Sequence, residues 1–286
     1  MDYNTRSIPG GGVATLESFV AGPSAPLVHF AHATGMCAGL YRPLFERLAP
    51  YVNVVASDAR GHGRTGLPAD PAAMTSWATY ANDLAALLAV LPRPSRLILA
   101  GHSMGATVSM EVAAALTGHS AADLPAAVVM IEPAFVPFAA AGEWRGSSNP
   151  MVEQALRRRA VWPSRAAVRA AYHGRGVFAT WRDADLDAYL ADGLLDRDDG
   201  AVELACLPAW EAATFAAVSP RLESAITGWR GGLTLLHATE RSTVTPADAA
   251  IIAAFPGTTV RRFDGADHFV PLAEPQAMAD AILAWT

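Results

Sequence analysis

Lysine is absent from the 286 residues, and all 21 basic residues are arginine. Chemistry that depends on a lysine amine is therefore excluded, from Schiff bases with pyridoxal phosphate or carbonyl substrates to a Walker-type P-loop. A guanidinium cannot be deprotonated to take the amine's place. Cysteine is scarce too: Cys37 and Cys206 are the only two, outside any CxxC or Cys/His cluster. They read as small buried hydrophobes in a reducing compartment rather than as a metal or redox site. Charged residues make up only 17% of a chain that is 52% hydrophobic, and no apolar run is long enough to cross a bilayer. With a net charge of -6 and no basic run beyond Arg157, Arg158 and Arg159, neither a nucleic-acid partner nor a membrane surface is expected. The eight histidines lack paired ligand spacing, so no metal is expected. The first residues, Met1 to Arg6, carry no export signal, and a cytoplasmic location is the expectation.

Against these absences stands one dense feature, Gly101-His102-Ser103-Met104-Gly105, entered through Leu97-Ile98-Leu99-Ala100 and left through Ala106 to Leu116. The apolar run has strand length, and Val108, Val112, Ala115 and Leu116 recur at helical spacing. Strand, tight turn and helix with a serine at the tip form a nucleophile elbow, in which the two glycines allow the turn. Ser103 is the candidate nucleophile.

Short apolar strands alternate with amphipathic helices on either side of the elbow. Ala14 to Val20, Leu27 to Ala31 and Val52 to Ser57 read as strands, with helices near 40–48 and 76–91. Ala127 to Ile131 is the next strand and ends at Glu132-Pro133. From Ala139 to Trp229 the sequence predicts no strand, only helical segments broken by Gly and Pro near 151–159, 164–171, 183–191 and 207–217. The alternation resumes with Leu233 to His237, a helix near 247–254, a strand Thr258 to Phe263 and a closing helix 275–285. This pattern predicts an α/β fold: a mostly parallel sheet covered by helices on both faces. The core comprises 1–137 and 230–286, and 138–229 is an inserted helical cap.

A serine hydroxyl needs a base within hydrogen-bond reach and a third group to orient that base. His268, in Gly265-Ala266-Asp267-His268-Phe269 just after the last strand, falls at the same carboxyl edge as Ser103. Together with His32-Ala33-Thr34-Gly35, Asp58-Ala59-Arg60-Gly61-His62-Gly63-Arg64-Thr65 and the elbow, this segment resembles the α/β-hydrolase fold superfamily in the order of its motifs, over nearly the whole length. The resemblance implies a hydrolase acting on esters, amides, lactones, epoxides, haloalkanes or carbon-carbon bonds. A serine at the elbow disfavours the haloalkane and epoxide chemistries, which use aspartate.

The acid departs from the family pattern. The loop Ala238 to Pro246 has no aspartate, and counting back from Pro246 puts Arg241 near the usual acid position with Glu240 beside it. Glu132, at a strand end that some members of the superfamily use, is the preferred acid, and Glu240 is the alternative. Asp264 and Asp267 stay behind them, Asp267 reading as a loop carboxylate. The resemblance also implies an oxyanion hole made of the Met104 N–H and an N–H from the loop after the early strand. Thr34 is favoured there, with Ala33 still open. His32 and Asp58 are assigned to holding loops, and the segment from Arg60 to Gly63 to turn geometry.

In the cap, Phe138, Trp144, Trp162, Tyr172, Phe178, Trp181 and Trp210 suggest an aromatic roof, partly cap core and partly an apolar pocket. Arg157, Arg158 and Arg159 cannot share one helix face. At least one is expected in solvent and another paired with an acidic cap residue such as Asp183, Asp185 or Asp187, and a carboxylate-binding role for one of them is a further option. The expectation is a cofactor-free serine hydrolase, monomer or homodimer, cleaving a small apolar ester or lactone. The alternatives are a carbon-carbon bond hydrolase or small-substrate peptidase with the same triad, and a noncatalytic receptor on the same fold.

Overall fold

The computed structural model describes residues 1–117, 125–135, 149–219 and 221–286. Its strands are β1 (Asp2–Ile8), β2 (Gly11–Ser18), β3 (Leu27–Ala31), β4 (Asn53–Ser57), β5 (Leu97–His102), β6 (Ala127–Ile131), β7 (Val161–Trp162), β8 (Leu194–Asp196), β9 (Val202–Leu204), β10 (Gly232–Ala238) and β11 (Thr258–Phe263). Eight of them form one sheet in the order β1-β2-β4-β3-β5-β6-β10-β11. The β1/β2 and β2/β4 pairs are antiparallel, and every pair from β4 to β11 is parallel. Side chains of the central strands alternate between two apolar layers. Ile98, Val129 and Leu236 join Phe30, Phe45 and Met278 on one face, while Leu99, Val128 and Leu235 join Leu84, Val108 and Ile252 on the other. Strands buried on both faces are what helices packed on both sides of a parallel sheet require.

The helices are α1 (Arg42–Leu48), α2 (Ala78–Val90), α3 (Met104–Leu116), α4 (Pro150–Leu156), α5 (Arg165–Tyr172), α6 (Asp183–Asp192), α7 (Pro208–Ala216), α8 (Leu222–Gly228), α9 (Pro246–Ala253), α10 (Val270–Ala273) and α11 (Pro275–Leu283). Their starts follow from local chemistry. Asn149 Oδ1 accepts the Met151 N–H at 3.0 Å, Ser164 Oγ that of Ala167 at 3.2 Å and Thr245 Oγ1 that of Asp248 at 3.1 Å, each satisfying a donor that the first helical turn leaves free.

The expectation of no strand between Ala139 and Trp229 is corrected: β7, β9 and β8 form a small antiparallel sheet within that stretch. The stretch rests on the loops that follow β3, β4 and β11. Arg64 reaches Asp192 at 2.6 Å, Trp210 Nε1 donates to the Arg60 carbonyl at 2.9 Å, and Arg182 donates to the Leu272 carbonyl at 2.6 Å. Among the described residues no helix is long and apolar enough to cross a membrane.

Candidate active site

Ser103 stands between β5 and α3 with φ 56°, a backbone region that side-chain-bearing residues rarely occupy. The turn closes this tightly because its flanking residues lack side chains. A Cβ on Gly101 would overlap the Gly105 backbone, and a Cβ on Gly105 would overlap the carbonyl of Ala31. The start of α3 is thereby pressed against the end of β3, next to the loop that begins at His32.

Glu132 lies at the end of β6, wholly buried, and it too has a positive φ, of 47°. Its N–H donates to the Leu236 carbonyl at 2.8 Å, which turns the residue toward β10 and the loop beyond. There Oε1 accepts from the Ala238 N–H and the Ser242 hydroxyl, both at 2.7 Å, and Oε2 accepts from the Thr243 N–H at 3.0 Å and from His268 Nδ1 at 2.9 Å. Burial alone would raise the pKa of this carboxyl, but the bonds and charge of His268 and the Ala238 and Ser242 donors outweigh it and hold the pKa at about 2. With Nδ1–H spent on Glu132, the lone pair of the His268 ring sits on Nε2. Among the described residues no hydrogen bond joins Ser103 Oγ to His268, whose ring lies 4.8 Å, centroid to centroid, from that of His102 beside the serine.

Glu240 is not brought to His268. Its N–H donates to the Ala266 carbonyl at 2.9 Å, and the residue borders a cavity of about 580 Å³ beside Trp181, Arg182 and Leu272. Arg241, where the family pattern carries its acid, pairs instead with Asp267 at 2.7 Å. Asp267 also accepts from the Thr180 hydroxyl at 2.7 Å and from the Phe269 N–H at 2.9 Å, and Asp264 pairs with Arg262 at the surface.

The candidate oxyanion donors can be compared by what already occupies them. The Ala33 N–H donates to the Tyr41 hydroxyl at 3.3 Å and the Gly35 N–H to His62 Nε2 at 3.0 Å. Among the described residues the N–H groups of Thr34 and Met104 meet no acceptor, the latter because a first helical residue has no intrahelical partner. Both residues are buried, and Met104 follows Ser103 directly in the chain.

The remaining loop residues are structural. His32 donates from Nδ1 to the Ala33 carbonyl at 2.7 Å and accepts the Ala59 N–H at 2.9 Å, and His62 donates from Nδ1 to the Arg60 carbonyl at 3.0 Å. Burial holds both rings neutral, with pKa values of about 4 for His32 and about 3 for His62. Asp58 accepts the N–H groups of Ala38 at 2.7 Å and Arg64 at 2.9 Å, and burial raises its pKa to about 6.

Above these loops Phe178 stacks on Tyr172 at 4.6 Å, and Trp181 meets Phe178 and Phe269 edge-on at 4.9 Å each. Trp162 touches Tyr172, whereas Trp210 packs away from them against Tyr80. Phe138 and Trp144 lie outside the described residues. In the arginine run Arg157 pairs with Glu153 in solvent, Arg159 lies over Trp162, and Arg158 binds an acidic residue of the same stretch, Glu211, at 2.6 Å; Asp183 and Asp187 bind Arg169, and Asp185 binds Arg182. Arg158 also donates to the hydroxyls of Tyr172 at 3.2 Å and Tyr189 at 3.0 Å. Sequence reasoning missed Glu211, Ser242 and Thr243, which sit in no recognisable motif.

Comparison with known proteins agrees with this fold. A profile described as "Alpha/beta hydrolase family" matches residues 30–281. The 2-(acetamidomethylene)succinate hydrolase of Mesorhizobium japonicum is 35% identical over 115 residues, which span 40% of this chain and 37% of that relative. The solved structure of E-2-(acetamidomethylene)succinate hydrolase superposes with a TM-score of 0.79 at 24% identity, covering 99% of each chain. A thioesterase domain from the curacin biosynthetic pathway superposes with a TM-score of 0.75 at 16% identity, again over 99% of each.

Proposed function

The chain belongs to the alpha/beta hydrolase family, and from that premise we propose that it is a serine hydrolase working through an acyl-enzyme on Ser103. The observation that carries this reading is the buried Glu132 carboxylate bonded at 2.9 Å to Nδ1 of His268, the histidine packed beside the nucleophile elbow. In the reaction His268 Nε2 takes the proton of Ser103 Oγ as that oxygen bonds to the substrate carbonyl carbon. The carbonyl oxygen becomes an oxyanion held by the N–H groups of Thr34 and Met104. The imidazolium, kept in place by the ionised Glu132, returns the proton to the leaving group as its bond to carbon breaks. Water, deprotonated by the same imidazole, then releases the acid and restores Ser103. No step calls for a metal or organic cofactor.

The substrate class this reading favours is a carboxylic ester or lactone small enough to lie beneath a cap formed by 138–229, against Tyr172, Phe178, Trp181 and Phe269. A second reading keeps the triad and changes the substrate to an acylated small molecule that carries a carboxylate. It is favoured by Arg158, a largely buried cation beside two tyrosine hydroxyls, and by the relative named for hydrolysis of 2-(acetamidomethylene)succinate.

The test is p-nitrophenol release from short and medium acyl esters at neutral pH by the wild type and by Ser103→Ala, alongside labelling with a fluorophosphonate. Ester turnover and labelling that both vanish in the variant are expected. Labelling of Ser103 without ester turnover would move the assignment to the carboxylate-bearing amide. Folded protein that does neither would overturn the serine-hydrolase reading.

A further inference from the structure

The histidine inside the elbow, one residue before the nucleophile, is part of no step above, yet three loops of the site meet on it. His102 is wholly buried at the end of β5. Its Nε2 lies 2.8 Å from the backbone carbonyl of His268, and a carbonyl only accepts, so Nε2 carries the proton and donates it. Nδ1 lies 2.8 Å from the Tyr41 hydroxyl and, in the neutral ring, accepts from it. The Tyr41 oxygen in turn accepts the Ala33 N–H at 3.3 Å, one residue before Thr34. The ring centroids of His102 and His268 are 4.8 Å apart, the planes tilted by 41°, and Phe269 packs edge-on against His102 at 5.5 Å.

We propose that His102 is a positioning residue that sets the base loop and the oxyanion turn in register with Ser103, through the chain Ala33 N–H to Tyr41 O–H to His102 to the His268 carbonyl. The proposal rests on the serine-hydrolase reading. The His268 carbonyl requires a proton on Nε2, and in the neutral ring Nδ1 is then the acceptor for the Tyr41 hydroxyl. Burial, with the neighbouring His268 charge acting the same way, pushes its pKa well below that of an ordinary histidine, so the ring stays in this form while His268 gains and loses its proton. His102 does not compete for the Ser103 proton, because its one lone pair is occupied by Tyr41. Glu132 fixes the ring of His268 from one side, and His102 fixes the backbone from which that ring projects. Without the second anchor the imidazole pivots about the Glu132 bond, and displacements of an ångström at a reacting group lower rates by roughly 100-fold.

Three substitutions separate the two bonds. His102→Asn retains an acceptor near the Nδ1 position and loses the donor to His268, His102→Gln retains a donor near Nε2 and loses the acceptor for Tyr41, and Tyr41→Phe removes the link to Ala33. Each is assayed for kcat, KM and the pH profile of kcat/KM on the best ester of the wild type, with a thermal melt to confirm folding. The expected result for His102→Asn is a fall in kcat of roughly 10- to 100-fold with KM within about twofold and a displaced acid limb. His102→Gln is expected to recover most of the loss in both kcat and profile. If His102→Asn folds and matches the wild type, or if Asn and Gln lose the same kcat with the wild-type profile, His102 is only filling space and the proposal is overturned. Should His102→Asn fail to fold, His102→Gln decides: activity near wild type supports the donor role, and activity below that of Tyr41→Phe overturns it. Failure of the underlying reading is distinguished because it removes turnover and Ser103 labelling from the wild type itself.

Discussion

Replacing Glu132 with glutamine would keep its volume while removing the charge that the Ala238 and Thr243 N–H groups, the Ser242 hydroxyl and His268 all address. It would also place an NH2 group against at least one of these donors, leaving buried polar groups without partners. Glu132→Gln is therefore expected to lower kcat by roughly 10,000-fold, as when the aspartate of a Ser-His-Asp triad becomes asparagine, whereas Glu240→Gln is expected to stay within about twofold of the wild type. Equal losses in the two variants would sink this assignment. Sequence left the two carboxylates open because both follow strands at the same sheet edge. The choice turns on the left-handed backbone of Glu132 and on contacts to residues 106 to 136 positions away, neither of which a motif records. Ser103 and His268 were legible as candidates for the opposite reason, since both sit in local turns with a glycine signature. What distinguishes Thr34 from Ala33 as a candidate donor is a long-range hydroxyl, that of Tyr41, which accepts the Ala33 N–H.

At the scale of elements, α7 packs directly on the loops that follow β3 and β4. Trp210 covers Gly61, and Glu211 lies so close to Gly35 that a Cβ there would overlap its carboxylate. Gly35 also holds a φ of 75°, so its side-chain-free backbone is required twice over. Arg158 and Glu211 form an ion pair that links α7 to the turn after α4, with side chains only 20% and 8% exposed. Removing one partner of such a pair strands a buried charge, which costs about 3–5 kcal/mol, while replacing both with apolar residues is often near neutral. Arg158→Met is thus expected to lose about 3 kcal/mol or more in urea unfolding, and Arg158→Met/Glu211→Leu to recover most of it. A double variant as unstable as the sum of its singles would mean that the pair is not coupled. The helices here were legible from periodicity and from caps such as Asn149 and Ser164. The strands β7, β8 and β9 were not, since two or three residues carry no period. The edge strand β1 escaped because its mostly polar, half-exposed residues lack a hydrophobic face.

Across the whole molecule the buried histidines set how stability responds to acid. His29, His32 and His62 are neutral in the folded chain, with burial first among the causes that hold their pKa values at about 3, 4 and 3. In the unfolded chain an ordinary histidine takes up its proton near pH 6.5. Between these limits the unfolded state binds more protons than the folded one, so stability falls as pH drops from about 6.5 toward 4, by roughly 2 kcal/mol per histidine at pH 5. Asp58 acts in the opposite sense over part of this range. Its folded pKa is raised to about 6, so it takes up a proton before its unfolded counterpart and offsets roughly 1 kcal/mol at pH 5. Glu132, depressed to about 2, withdraws its contribution only below pH 4.5. The histidines win, and the net loss of several kcal/mol is comparable to the whole stability of a typical domain. The melting temperature is accordingly expected to drop by roughly 10 °C between pH 7 and pH 5, a range in which an exposed-surface protein would scarcely change. His29 offers the internal control because it lies in β3 away from the triad, bonded through Nε2 to Ser57 at 3.0 Å, with Nδ1 unpartnered among the described residues. His29→Leu is expected to cost little beyond the Ser57 bond at pH 7 and to shrink the acid-induced drop by about a third. A melting temperature that is flat from pH 7 to 5, or a His29→Leu protein with the full wild-type drop, would show that these rings are protonated in the folded chain and that burial does not govern its acid response.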